Sequence, residues 1–279
     1  MNYFKCGKYS LPLGKKTYIM GILNVTPDSF SDGGLWNDPQ KAADHAREMI
    51  QAGADIIDIG AQSTRPGHIE ISAAEEIERL GAVFEVLKNP GVPVSVDTYY
   101  PEAAEFSLKN GADIINDVSG VFNPLMAEVV KKYNAGWIVM HTGGGTADIV
   151  PQYEEGIVEN VKTFFEKMIS ECKKFGIDES CICLDPGIGF GKTYEDNLTL
   201  LGRMNEIRVA QNALLAGASR KRVIGTATGV QQADKRLIGT IAAHCACMAG
   251  GADIIRVHDV AESAESAKMC DAIYRREDR

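Results

Sequence analysis

The sequence predicts an α/β fold in which one (β/α)8 barrel takes up the whole chain, residues 1–279. Three observations predict it. Apolar bursts alternate with amphipathic helical stretches, eight of each. The phrase Gly-Ala-Asp-Ile-Ile occurs three times, at 53–57, 111–115 and 251–255. No linker, low-complexity segment or composition shift divides the chain.

The bursts run over 17–25, 54–60, 92–97, 112–117, 136–141, 181–187, 213–219 and 252–258, and each reads as a buried strand. Between them, 38–52, 72–88, 101–110, 123–134, 154–175, 194–203, 234–250 and 261–275 carry helical periodicity. The repeated phrase checks the count. Its first two copies lie 58 residues apart with one burst between them, and the next two lie 140 apart with three between. Both spacings fit βα units, the later ones with longer loops. The copies then open the second, fourth and eighth strands. Alternate strands of a barrel fill its interior in layers, so one repeated position can face inward three times. Each copy follows a helix, so its Gly sits where a left-handed cap is wanted. A doubly wound open sheet explains the alternation but not the number eight.

Composition narrows the function. The chain is 45% hydrophobic and 24% charged, with net charge −9 and pI near 5.2, and it holds no run of like charge. Neither a nucleic acid nor an anionic membrane is a natural partner for such a surface. The seven cysteines are scattered without zinc-ligand spacing, as in a reduced cytoplasmic protein. The five histidines form no HExxH pattern. The N-terminus lacks a signal-peptide core, and no stretch is long and apolar enough to span a membrane. A cytoplasmic setting is the expectation.

In such a barrel the active site lies at the C-terminal ends of the strands. Read in order, those ends carry Asn24, Asp58, Asp97, Asn116 with Asp117, Met140 with His141, Asp185, Ser219-Arg220-Lys221, and Arg256 with His258. Burying so many polar groups costs several kcal/mol unless each is paired, and a polar ligand supplies pairs. The stretch 24–34 is rich in turn formers and reads as a loop closing over a site. Arg65 sits on the functional face, where it suits an anion. Residues 185–193 nearly spell a phosphate loop, but Pro186 stands where its first Gly belongs, and Asp185 would repel a nucleotide phosphate. They read instead as a glycine-permitted turn that lets a flat ligand approach Asp185. Arg220, Lys221 and Arg222 are three adjacent cations, and a fixed anion or an electron-rich ring facing Lys221 and Arg220 would account for them. Arg256 and His258 share one face of a strand, a pair suited to a diphosphate. A lone Arg256 would instead pair with a core acid such as Asp58.

GILNVTPDSFSDGG, STRPG, VSVD, INDVSG, LDPGIGFGK, GASRK and RVHD follow one another along nearly the whole chain. In this order they resemble the dihydropteroate synthase family of pterin-binding barrels. The resemblance implies condensation of p-aminobenzoate with (7,8-dihydropterin-6-yl)methyl diphosphate, aided by Mg2+, with diphosphate released. It implies that Asp97, Asn116, Asp185 and Lys221 meet the pterin, beside Met140 and Phe190. It places Arg256 against the pterin and, with Asn24 and His258, at the diphosphate, with Asn24 also at the metal. Phe30, Asp32, Thr64, Arg65, Pro66, Ser219 and Arg220 fall to the p-aminobenzoate side, where sulfonamides compete. Lys221, Arg256, His258 and Asp97 are then the catalytic groups, and the family implies a homodimer. Asp58 has no substrate role and becomes a structural partner of Arg256 or Lys221, and Arg256→Ala should cost diphosphate release far more than Asp58→Ala.

Departures from the family pattern are the 141–146 stretch His-Thr-Gly-Gly-Gly-Thr, Gln62 where Glu is common and Arg222 where Ser is common. Two other readings share the barrel. A methyltetrahydrofolate–corrinoid methyltransferase has no need of the Ser219-Arg220-Lys221 cluster or the first loop. A non-catalytic pterin-binding homologue has no need of Asn24, Arg65, Lys221, Arg256 and His258 together.

Overall fold

The computed structural model describes residues 2–25, 39–62, 70–144 and 149–275. An antiparallel hairpin comes first, β1 (Tyr3–Cys6) with β2 (Tyr9–Pro12). Eight parallel strands then close into a barrel: β3 (Tyr18–Asn24), β4 (Ile56–Gly60), β5 (Val94–Asp97), β6 (Ile114–Asp117), β7 (Gly136–Met140), β8 (Ile182–Asp185), β9 (Ala213–Ala216) and β10 (Ile254–Val257). Neighbours in sequence are neighbours in space, and β10 closes on β3.

The helices alternate with the strands. They are α1 (Pro39–Gln51), α2 (Ala73–Val86), α3 (Pro101–Lys109), α4 (Pro124–Tyr133), α5 (Ile157–Phe175), α6 (Tyr194–Gly202), α7 (Arg222–Thr228), α8 (Leu237–Ala249) and α9 (Val260–Tyr274). The barrel expected from the sequence is the barrel observed. Two elements had no expectation: the hairpin and α7. Both are short, so neither carries enough periodicity to show in a sequence window.

The repeated phrase does three jobs in the fold. Its glycines end helices with positive φ, 109° at Gly53, 112° at Gly111 and 92° at Gly251. Its first isoleucine points into the barrel and its second outward, as strand alternation requires. Ile56, Ile114 and Ile254 pack in the inner cluster with Met20, Ile138 and Leu215. Ile57, Ile115 and Ile255 pack in the layer between strands and helices. Its aspartate clamps the preceding strand of the barrel. The Asp55 N–H donates to the Ile19 carbonyl at 2.8 Å, and the Asp55 carboxylate accepts from the Ile19 N–H at 3.0 Å. Asp113 does the same to Val94 (2.8 and 3.1 Å), and Asp253 to Leu214 (2.7 and 3.1 Å). These three clamps fix strand register at the end of the barrel away from the site.

The hairpin stoppers that same end. Phe4 and Cys6 are fully buried and belong to the inner cluster. Gly136 at the start of β7 allows the approach: a Cβ there would lie 2.7 Å from Phe4 Cζ and 2.8 Å from Cys6 Cβ. Gly136→Ala overfills this junction and is expected to destabilise the fold by about 1–3 kcal/mol. A thermal melt unchanged by the substitution would contradict the stopper.

Candidate active site

Two residues beyond each inward isoleucine, alternation turns Asp58, Asn116 and Arg256 into the barrel as well. They meet there. Asp58 is fully buried, and its Oδ2 accepts from Arg256 Nε at 2.6 Å and from Asn116 Nδ2 at 3.3 Å. Arg256 also donates from a terminal nitrogen to Asp97 Oδ2 at 3.0 Å. Asp58 is therefore tied to Arg256, one of the two partners its position suggested, and Lys221 is held elsewhere. Among the described residues, the buried Asp58 Oδ1 and Asn116 Oδ1 have no hydrogen-bond partner. Asn116 thus keeps an acceptor for a ligand, and its carbonyl sits beside the Asp97 strand.

Asp97 closes β5. Burial pushes its carboxyl well above the usual carboxylate range; the Arg256 guanidinium opposes that shift, and Asp58, Glu76 and Asp117 add to it. Glu76 of α2 is a buried carboxyl pushed up to about 7 by burial, and it accepts from Thr98 Oγ1 at 2.9 Å. Sequence reading passed over it, because a Glu on an amphipathic helix ordinarily faces water. Asp117, next to Asn116, turns the other way, accepting from the Ser119 N–H and from the indole N–H of Trp137.

Asp185 closes β8 and shapes the turn that follows. Its Oδ1 accepts from the Gly187 N–H at 2.7 Å. Gly187 has φ of 66°, and a Cβ there would lie 2.1 Å from the His141 carbonyl oxygen. Only glycine permits that approach. Burial raises the Asp185 pKa, and Lys221, the Gly187 N–H and Lys192 oppose it in that order. Lys221 Nζ donates to the Ile188 carbonyl and stands 4.6 Å from the centre of the Phe190 ring. Burial lowers the Lys221 pKa to about 8, against the attraction of Asp185. Met140 ends β7 directly opposite Asp185 in the strand register and is buried. The near-match to a phosphate loop is resolved here. Thr193 caps α6, accepting from the Asp196 N–H while the Asp196 carboxylate accepts from the Thr193 N–H, both at 3.0 Å. Lys192 is buried and donates to the carbonyls of His141 and Phe190. Neither residue faces a nucleotide.

The three adjacent cations after β9 diverge. Lys221 joins the Asp185 turn. Arg220 lies in the left-handed region at φ of 58°, and its guanidinium forks onto Asp259 at 3.0 and 2.6 Å. Arg222 starts α7 and is exposed. Ser219 is buried; its Oγ accepts from the His258 N–H at 3.2 Å and lies 2.9 Å from His258 Nδ1. His258 is thus braced beside Arg256, and the Arg220–Asp259 fork locks the next residue. His244 of α8 supports this loop from behind: its Nε2 accepts from the Ala218 N–H at 3.2 Å, and burial lowers its pKa to about 4.

Asn24 ends β3 opposite Gly60 of β4. A Cβ on Gly60 would lie 3.5 Å from Asn24 Oδ1 and 3.8 Å from Asp97 Cβ, so bare backbone separates the two side chains. The structure therefore brings Asn24, Asp97, Asn116, Asp185, Lys221, Arg256 and His258 to one end of the barrel. Phe30, Asp32, Thr64, Arg65 and Pro66 lie outside the described residues. Gln62 lies just before 63–69 and is anchored by donation to Tyr99 Oη at 2.7 Å.

The Pterin binding enzyme family model matches residues 20–258. A dihydropteroate synthase of Clostridium beijerinckii is 42% identical over 275 residues, covering 98% of this chain and 100% of its own length. Among solved structures, Burkholderia cenocepacia dihydropteroate synthase complexed with 7,8-dihydropteroate is 33% identical, with a TM-score of 0.88, covering 98% of this chain and 96% of that one. Yersinia pestis dihydropteroate synthase in a sulfonamide drug complex is 36% identical, with a TM-score of 0.90, covering 97% and 98%. With this barrel and this set of strand ends, the chain belongs to the pterin-binding enzymes, and among them to the dihydropteroate synthases.

Proposed function

We propose that this chain condenses p-aminobenzoate with (7,8-dihydropterin-6-yl)methyl diphosphate, giving 7,8-dihydropteroate and diphosphate. One observation carries the reading: acceptors for a pterin edge and cations for a diphosphate share one barrel mouth. A pterin offers an amino group and a ring N–H. The carboxylates of Asp97 and Asp185 accept from such groups, and Asn116 both donates and accepts. Phe190 and the Lys221 stem offer a flat wall for the ring. Arg256 is already an ion-pair donor and turns its remaining N–H groups to the diphosphate, with His258 beside it.

The displacement is dissociative. The C–O bond to the diphosphate breaks first, and its electron pair leaves with the diphosphate. Arg256 and His258 stabilise the charge gathering there. The dihydropterin delocalises the positive charge left on the exocyclic methylene. The lone pair of the neutral arylamine then forms the C–N bond, and the nitrogen sheds a proton afterwards. No general base is needed before attack.

Mg2+ fits this site in a limited way. Among the described residues no group of three or more His, Cys, Asp or Glu side chains forms a metal cage. Mg2+ commonly takes one or two protein oxygens plus substrate phosphates. Asn24 Oδ1, beside Gly60, would supply one such oxygen. Bound there, the ion would neutralise diphosphate charge.

The family also supports a homodimer, and the seven free cysteines support a reducing cytoplasm. The catalytic reading is tested by incubating the protein with the dihydropterin diphosphate, Mg2+ and labelled p-aminobenzoate. Labelled dihydropteroate is expected. Pterin binding without product would overturn the reading in favour of a non-catalytic pterin binder.

A further inference from the structure

Lys192 is the one member of the LDPGIGFGK motif whose position the reaction leaves unexplained. It is a lysine with only 6% of its surface exposed. Among the described residues no carboxylate forms a salt bridge with it; its Nζ is held by two neutral carbonyls, His141 at 2.9 Å and Phe190 at 2.8 Å. Burying an ammonium on neutral partners is unfavourable, and a residue with only a packing role would more cheaply be apolar. Its surroundings show what the charge does. The His141 carbonyl belongs to the loop after β7, and the Phe190 carbonyl to the turn after β8. One ammonium therefore staples the two loops on either side of Asp185. The same turn is gripped by neutral anchors: Tyr153 Oη donates to the Gly191 carbonyl at 2.6 Å, and Asn197 Oδ1 accepts from the Gly189 N–H at 2.6 Å. The turn has sufficient neutral fastening already, so the cation adds something other than anchorage.

We propose that Lys192 is a positioning residue for pterin recognition: with Lys221 it places two ammonium groups at the Asp185 turn and sets Phe190 against Lys221. The inference rests on the pterin reading of this site. Lys221 holds the turn by the Ile188 carbonyl and faces the Phe190 ring, while Lys192 holds the Phe190 carbonyl. The Phe190 residue is thus caught between two ammonium groups, one on its backbone and one on its ring. The charges acting on Asp185 come from Lys221 after β9, Lys192 before α6 and Arg256 on β10, with the Gly187 N–H from its own turn. Burial lowers the Lys192 pKa to about 7, Asp185 and Asp196 opposing the shift and Lys221 adding to it, so the ammonium is fully charged on the acid side of pH 7.

The test compares Lys192→Met, Lys192→Arg and Tyr153→Phe by calorimetric titration with the dihydropterin diphosphate between pH 5 and 8. Lys192→Met is expected to weaken binding roughly tenfold, the scale of one lost charge beside a recognition carboxylate. It should also move the acid limb of the affinity profile to higher pH. The sign follows from the charges: removing a cation raises the pKa of Asp185, so the acceptor is lost to protonation sooner as pH falls. Lys192→Arg should restore most of the affinity and the original limb. Tyr153→Phe removes a neutral anchor of the same turn and should leave the limb in place. The KM for p-aminobenzoate should change less than twofold in Lys192→Met. A wild-type protein that binds the ligand, with an acid limb identical in Lys192→Met, overturns the assignment of Lys192 alone. A limb moved equally by Tyr153→Phe also overturns it, since loop anchorage would then suffice. A folded wild-type protein that does not bind the pterin overturns both this inference and the reading beneath it.

Discussion

Replacing Arg256 with alanine is expected to lower kcat/KM for the pterin diphosphate by about 10²–10³-fold, the usual scale for removing one preorganised group that meets charge developing in a transition state. Steady-state kinetics with both substrates check it. The effect should fall on the diphosphate end of the substrate, because the guanidinium reaches the site from β10 and touches no hydrogen-bonding group of the Asp185 turn. A loss of less than fivefold would remove Arg256 from catalysis and leave it a structural ion-pair partner.

Asp58→Ala is expected to be as severe, though in stability first. The sequence alone suggested a far smaller loss of diphosphate release than for Arg256→Ala, because Asp58 has no contact with substrate. The structure adds a cost in stability. Asp58 is completely buried and binds both Arg256 and Asn116 through one oxygen. Removing one partner of a buried ion pair costs about 3–5 kcal/mol, because the remaining charge loses its counterion. Asp97 retains half of the Arg256 contacts, so the lower end of that range is expected. Denaturant unfolding measures it. Activity should fall as well, since Arg256 and Asn116 are aimed by the same carboxylate. Asp58→Asn, which keeps an acceptor but not the charge, should recover the Asn116 contact and little of the stability.

Most of the barrel was legible because it depends on local signals that a linear text carries. The eight apolar bursts, the helical stretches between them and the repeated phrase each follow from periodicity or from a helix-ending glycine. The hairpin was not legible. Its contribution is Phe4 and Cys6 dropping into the barrel beside Gly136, a contact between positions more than 100 residues apart. The clamps made by Asp55, Asp113 and Asp253 were hidden for the same reason, since an aspartate before a strand gives no sign of which neighbour it will grip.

At the site, the inward turn of Asp58, Asn116 and Arg256 followed from strand alternation. Their convergence on a single carboxylate oxygen did not. Adjacent cations in sequence suggested a shared target for Arg220 and Lys221, and the fold separates them: Arg220 takes a left-handed conformation and turns to Asp259. Lys192 and Glu76 were overlooked because charged residues in a loop or on a helix are normally solvated. Their burial is a property of the assembled barrel.

The central claim is that two repeats of one phrase place Asn116 and Arg256 at opposite ends of a single substrate, the ring and the diphosphate. Calorimetry with the dihydropterin diphosphate, and with the same pterin lacking its diphosphate, tests this most directly in Asn116→Ala and Arg256→Ala. Asn116→Ala is predicted to weaken both ligands by the same factor, and Arg256→Ala to weaken the diphosphate-bearing one by the larger factor. If Arg256→Ala weakens the two ligands equally, or Asn116→Ala spares the diphosphate-free pterin, the two residues do not divide the substrate between them.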